Sequence, residues 1–316
     1  MKALITGAKG FVGPYLKQYL ESQNYEVIST DKDDLDILDR DKVFQFINKH
    51  KFTHIFHLAG FSSPRLSHDN AELCHNINVN GTKNLLDAVI YSNTKPKILI
   101  VSSAHVYGKP KYLPIDEQHP LDPTTSPYAK SRIEQEKITK NYKLPIIISR
   151  SFNHTGPGRQ DIFICSEFAK KIAEIESGKR EPVIEVMDLT AKRDFTDVRD
   201  MVKAYYLALE KAQPNQTYNL CSGKAYSAQD ILDILLKLTQ KEIKIIEKQK
   251  EKQEIDGNQD NIQDKKETPK QKQHNHIQTL QGTHNKFTQQ TGWEPEIEFT
   301  QTLKDILEYW KEKIKK

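Results

Sequence analysis

The residues best placed to do chemistry lie in Ser126-Pro127-Tyr128-Ala129-Lys130-Ser131-Arg132. Ser126 is a good N-cap and Pro127 suits the first helical position, so the sequence predicts a helix from here to Tyr142. Tyr128 and Arg132 then share one face, a turn apart. A phenol beside a cation can move protons: it titrates near ~10 when unperturbed, and a neighbouring positive charge lowers that value. The simplest competing reading is a surface tyrosine next to a solvated basic side chain. Arginine is scarce, with eight among 47 basic residues and none after Arg199. In so lysine-rich a chain, an arginine at 132 points to planar, multidentate hydrogen bonding to oxygen.

A second constellation opens the chain. Thr6-Gly7-Ala8-Lys9-Gly10-Phe11-Val12-Gly13 follows an apolar run and precedes a helical pattern. Its glycines allow a tight turn and close approach of backbone to a pyrophosphate at a helix N-terminus. Asp31 ends the next apolar run, where a carboxylate accepts from an adenosine ribose and repels a 2′-phosphate, which favours NAD over NADP. Lys32 adjoins it and leaves NADP open. Asp36 and Ile37 are further candidates for the adenine, although acidic loops are also commonly just solvated.

These groups need a scaffold. Lys2–Thr6, Glu26–Thr30, Thr53–His57, Lys97–Ser102 and Leu144–Ser149 read as strands, and residues 15–22, 42–49, 71–91 and 126–142 as the helices between them. Runs such as Ile98-Leu99-Ile100-Val101 fit strands covered on both faces, so the fold class is α/β with a doubly wound parallel sheet. After Gly156 the pattern loosens into helices over 162–177, 198–211, 227–239 and 301–313, with short strands. The tract from Glu247 to Gln278 is rich in Lys, Gln, Asp and Asn and reads as a mobile or extended surface segment. His274, His276 and His284 lie in or near it and read as solvated, with no metal expected. Cys74, Cys165 and Cys221 are an odd number without paired spacing, which predicts reduced thiols in a cytoplasmic protein. There is no transmembrane run, and an N-terminal strand at Lys2 leaves no room for a signal peptide. A net charge of +4 spread over 28% charged residues gives no argument for nucleic acid.

The whole chain resembles the extended short-chain dehydrogenases/reductases that act on nucleotide-diphosphate sugars. Besides the glycine-rich turn, His57-Leu58-Ala59-Gly60, Asn78-Val79-Asn80-Gly81-Thr82 and Val101-Ser102-Ser103-Ala104-His105-Val106-Tyr107-Gly108 occur in family order. Within it, the likeness is to the branch that reduces GDP-4-keto-6-deoxy-mannose, through Ser151–Gly158, Phe168–Gly178, Arg193–Asp200 and Thr291–Pro295. The resemblance implies a dinucleotide-binding domain over residues 1–155 and 189–222, and a sugar-nucleotide lobe over 156–188 and 223–316. It implies NAD or NADP as cofactor, a GDP-sugar as substrate and a homodimer through the helices at 71–91 and 126–142.

The resemblance also assigns roles. Ser103 would hydrogen-bond the C4 oxygen of the sugar, Tyr128 would exchange its proton, and the cation at 132 would hold the nicotinamide ribose. Gly7, Gly10, Phe11, Val12, Gly13, Leu58, Ala59 and Asn78 would line the cofactor, and Asn153 and Arg193 would bind the substrate's diphosphate. For Ser103 the plain alternative is a strand-end hydroxyl capping its own backbone. Three departures stand out. Arg132 replaces the family lysine, which makes a binding protein without catalysis the rival reading. His105 stands where 4,6-dehydratases carry a glutamate, which leaves 4-keto reduction, with 4-epimerisation or 4-dehydrogenation as alternatives and His105 as a substrate-binding residue, through a hydrogen bond to the sugar or as an extra proton donor. The family's late diphosphate arginine is missing, with Lys272 or His274 as stand-ins.

Overall fold

A computed structural model describes residues 1–247 and 277–315. The strands are β1 (Lys2–Thr6), β2 (Glu26–Thr30), β3 (His54–His57), β4 (Lys97–Ser103), β5 (Ile146–Ser151), β6 (Asn153–Thr155), β7 (Val183–Val186), β8 (Lys192–Asp197), β9 (Thr217–Leu220), β10 (Ala225–Ser227), β11 (Lys244–Glu247) and β12 (Thr279–Leu280). The helices are α1 (Val12–Ser22), α2 (Arg40–His50), α3 (Ala71–His75), α4 (Thr82–Tyr91), α5 (Pro127–Thr139), α6 (Ile164–Glu176), α7 (Val198–Lys211), α8 (Ala228–Lys237), α9 (Asn285–Thr291) and α10 (Phe299–Lys315).

Six strands form one parallel sheet in the order β2-β1-β3-β4-β5-β9. Apolar stripes cover both faces. Leu16 and Leu20 of α1 pack with Met201, Tyr205 and Ala208 of α7 on one side. Val43 and Ile47 of α2 pack with Leu85, Leu86 and Val89 of α4 on the other. Ile98, Leu99 and Ile100 are wholly buried between these layers. The direction of winding reverses at β1, so the C-terminal strand ends open a crevice there. A smaller core of Phe168, Ile172, Ile231, Leu235, Leu303 and Trp310 joins α6, α8 and α10 beside the β7–β11 pair. β8 belongs to a separate sheet with β6, β10 and β12.

Two expected elements differ. The run from Ala71 to Tyr91 is broken by a π-helical segment at Asn76–Gly81, which inserts a wider turn between α3 and α4. The expected strand at 144–149 is displaced two residues, to Ile146–Ser151, because Pro145 cannot donate to a ladder. His284 is not solvated: Nε2 lies 2.8 Å from Glu294 Oε2 and the ring meets Trp293 edge-on. His274 and His276 lie outside the described residues, as does the tract from 248 to 276. The three cysteines are free and buried.

Buried polar groups tie the sheet to the helices behind the crevice. Arg150 on β5 makes a buried ion pair with Glu136 on α5 at 2.7 Å, and Ser102 Oγ donates to the same carboxylate. Farther along, Ala59 N–H donates to Thr6 Oγ1, and Thr6 Oγ1 lies 2.8 Å from His57 Nδ1. Across the ring, His57 Nε2 lies 3.0 Å from Thr82 Oγ1. Thr82 donates its own hydrogen to the Asn78 carbonyl, so the His57 hydrogen must sit on Nε2 and Nδ1 must accept from Thr6. Gln135 Nε2 also donates to Thr82 Oγ1, which carries the line to α5.

Removing one partner of the buried pair leaves an uncompensated charge. Glu136→Leu is expected to cost about 3–5 kcal/mol in urea unfolding, and Glu136→Leu with Arg150→Leu much less. His57 is held neutral, pushed down to about 3 by burial and by the Arg132 charge. An unfolded histidine titrates near ~6.5, so the unfolded chain binds a proton that the fold refuses, and stability falls as pH drops from there. Urea unfolding of His57→Gln at several pH values should show a slope shallower by up to about 1.4 kcal/mol per pH unit between roughly 6 and 4.

Candidate active site

The crevice at the C-terminal ends of β1–β5 is a cavity of about 600 Å³. At one end stands the glycine-rich turn, with Gly7, Gly10, Phe11, Val12 and Gly13 on its wall. Gly7 has φ +69°, and a Cβ there would lie 2.7 Å from the Ala59 backbone. Asp31, at the tip of β2, accepts from the N–H groups of Lys9 and Lys32 at 2.9 and 2.8 Å. Asp36, Ile37, Leu58 and Ala59 complete this end. A glycine cradle at the switch point, followed by a carboxylate at the next strand tip, fits a dinucleotide.

At the other end are Ser103, Tyr128 and Arg132. Ser126 Oγ accepts from Ala129 N–H and Pro127 opens α5, as the sequence predicts. Tyr128 and Arg132 are 5% and 4% exposed, so the surface reading of this pair is wrong. The guanidinium carbon stands 5.4 Å from the Tyr128 ring centroid. Arg132 Nη1 donates to the Val101 carbonyl and to Gln135 Oε1, and Nη2 donates to the Phe61 carbonyl. Its Nε is buried with no partner. Ser103 does cap its own backbone, accepting from His105 N–H at 3.2 Å, and still lines the cavity with a hydroxyl hydrogen to give.

His105 meets the Tyr128 ring edge-on, with centroids 5.9 Å apart. Burial, with a smaller contribution from Arg193, pushes its pKa down to about 4. Asn153 lines the cavity, whereas Arg193 is not part of that lining and its Nη1 donates to the Lys192 carbonyl. Asn78 stands directly behind Gly60 of the cavity wall, its Oδ1 3.0 Å from where a Cβ on Gly60 would lie. It is fully buried, its Oδ1 accepts from Phe61 N–H, and its Nδ2 donates to Ser131 Oγ. Lys272 and His274, the expected stand-ins for a late arginine, lie outside the described residues.

Sequence reasoning missed Arg159, which lines the cavity immediately after the Gly156-Pro157-Gly158 turn. Its guanidinium stacks 3.6 Å from the Phe163 ring centroid and 4.8 Å from that of Phe11. No carboxylate pairs with it among the described residues, its Nε has no partner, and burial lowers its pKa to about 10. The scarcity of arginine was the available signal. His154 joins it on the wall, stacked with Phe11 and pushed down to about 4 by burial and then by Arg159. Gln135 was missed as well, with no sequence signal to mark it, and Gly60 was read only as the end of the His57-Leu58-Ala59-Gly60 motif, without a role toward Arg132.

Residues 33–306 match the profile of the family described as GDP-mannose 4,6 dehydratase. The chain is 28% identical to the GDP-6-deoxy-D-mannose reductase of Pseudomonas aeruginosa, over 99% of this chain and 98% of that protein. It is 29% identical to the GDP-6-deoxy-D-talose 4-dehydrogenase of Aggregatibacter actinomycetemcomitans, over 78% and 82% of the two. Among solved structures, RMD from Pseudomonas aeruginosa complexed with NADPH superposes with a TM-score of 0.84 at 27% identity, covering 99% of each chain. A profile that spans most of the sequence, on a parallel sheet with its glycine turn and Tyr128 helix at one crevice, leads to one conclusion: the chain belongs to the GDP-mannose 4,6 dehydratase family of extended short-chain dehydrogenases/reductases.

Proposed function

We propose that the chain is an NAD(P)-dependent oxidoreductase that reduces the C4 keto group of a GDP-4-keto-6-deoxy-hexose. The product is a GDP-6-deoxy sugar of the rhamnose or talose type, for glycan synthesis. The observation that carries this reading is the meeting of Ser103, Tyr128 and Arg132 on one cavity wall with the glycine-rich turn and Asp31. A bound reduced dinucleotide supplies the hydride. Ser103 donates to the C4 oxygen, Tyr128 gives that oxygen its proton, and Arg132 holds pentose hydroxyls of the dinucleotide. Asn153 and Arg159, on the cavity wall, serve the phosphates, and Arg193, outside that lining, is the group the resemblance adds to them. In this reading residues 1–155 and 189–222 hold the dinucleotide, and the remainder holds the sugar nucleotide.

Reduction is favoured over dehydration by the lining of the cavity. Asp31 and Asp36 are its carboxylates among the described residues, and they belong to the β2 side of β1, across from Ser103 on β4. His105, beside Tyr128, is neutral above about pH 4 and supplies no carboxylate for the elimination of water. Oxidation at C4, named for the Aggregatibacter relative, is the second reading, because the same three groups serve it in reverse. A homodimer through the helical stretch 71–91, which spans α3 and α4, and through α5 belongs to the proposal, supported by the exposed Leu73, Ile90 and Tyr91. So does a cytoplasmic setting, supported by three buried, unpaired thiols. Among the described residues no helix is long and apolar enough to cross a membrane.

Purified protein given NADH and GDP-4-keto-6-deoxymannose should consume reduced cofactor; binding of NADH without consumption would favour the binding-protein reading. Tyr128→Phe should lower kcat roughly 10²–10⁴-fold in steady-state assays, with the KM for NADH nearly unchanged. NADH should be preferred to NADPH, and Asp31→Ser should narrow the ratio of their kcat/KM values by about tenfold or more.

A further inference from the structure

Arg132 is held unusually firmly for a residue that must serve a ligand. Gln135 lies three residues on, along the same face of α5, and is completely buried. Its Oε1 accepts from Arg132 Nη1 at 2.9 Å while its Nε2 donates to Thr82 Oγ1 at 2.7 Å, so the orientation of the amide is fixed from both ends. With the Val101 and Phe61 carbonyls, these bonds take both hydrogens of Nη1 and one of Nη2, out of five on the guanidinium. What remains is the Nε hydrogen, which has no partner, and one hydrogen on Nη2. Gly60 makes the arrangement possible from the other side: a Cβ there would stand 2.5 Å from Nη2.

We propose that Gln135 is a positioning residue that adapts this site to an arginine at 132. It turns the guanidinium into a fixed pair of donors, Nε–H and the remaining Nη2–H, for the adjacent hydroxyls of a dinucleotide pentose. A lysine ammonium is a compact point charge that needs no such clamp, and an unclamped arginine could swing its fork away from the ligand. The clamp also links the site to the fold, because the same amide of Gln135 reaches Thr82 and, through His57 and Thr6, the strand that carries the glycine-rich turn. The inference rests only on the dinucleotide half of the proposed function, so its test uses no sugar substrate.

Binding of NADH is measured by fluorescence for the full chain and for Gln135→Leu, Arg132→Lys and the double variant, with thermal melts to establish folding and ADP binding as a control. Gln135→Leu should weaken NADH about tenfold in the Arg132 background, the loss of one charge-assisted hydrogen bond. In the Arg132→Lys background the same change should matter less than about twofold, while ADP binding stays the same throughout. Gln135→Glu, which keeps an acceptor for Nη1, should restore most of the affinity. Gly60→Ala approaches the guanidinium from the opposite side with Gln135 intact, so it tests the clamp even where a Gln135 variant fails to fold. It too should weaken NADH far more with Arg132 than with Lys at 132. Equal losses in the two backgrounds, or no loss in either, would overturn the proposal.

Discussion

A continuous line of buried hydrogen bonds, from Ala59 and Thr6 through His57 and Thr82 to Gln135 and Arg132, fixes the two ends of the cavity relative to each other. The donor and acceptor roles along it are fixed by its members. Thr82 donates to the Asn78 carbonyl and accepts twice, and the His57 tautomer follows from that. Because buried polar groups are costly when unpaired, loss of any member is felt along the line. It therefore acts as a ruler between the glycine-rich turn, which follows Thr6, and the helix that bears Tyr128. The π-helical turn at Asn76–Gly81 serves the same end, since it lies between α3 and α4 and carries Asn78 to the Phe61 backbone and to Ser131.

The electrostatics of the crevice complement that rigidity. Arg132 and Arg159 each keep an Nε without a partner, and no carboxylate pairs with Arg159 among the described residues. His57, His105 and His154 are all pressed toward neutrality by burial, with the arginine beside each adding to the effect. Positive charge at the Tyr128 end of the cavity is thus carried by the guanidinium groups of Arg132 and Arg159, while the histidines act near neutral pH as uncharged donors and acceptors. Such a site is suited to phosphates and hydroxyls. The carboxylate of Asp31 stands at the far end, across β1, with Lys9 and Lys32 beside it on the wall.

Much of this was legible in one dimension. The glycine spacing, the Ser126-Pro127 start of α5, the apolar runs of β1 to β4 and the carboxylate at Asp31 are local patterns, fixed by backbone sterics, capping and burial on both faces of a sheet. They place the family's chemistry and the parallel α/β fold before any contact is known. Where local rules misled, tertiary packing had the stronger claim. His284, read as solvated, instead pairs with Glu294 and packs edge-on against Trp293.

The sequence by itself determined that a tyrosine and an arginine share a helical face behind a dinucleotide-type turn, because helix periodicity and glycine geometry are short-range. Only the tertiary structure decided what that arginine does. Its partners come from residues 61, 101 and 135, on a loop, a strand and its own helix, and the room it occupies depends on the missing side chain of Gly60. Hydrogen bonds and steric gaps between segments far apart in the chain leave no periodic trace, so nothing in the sequence joined Gln135, or the Gly60 that ends the His57–Gly60 motif, to Arg132 until the fold brought them together.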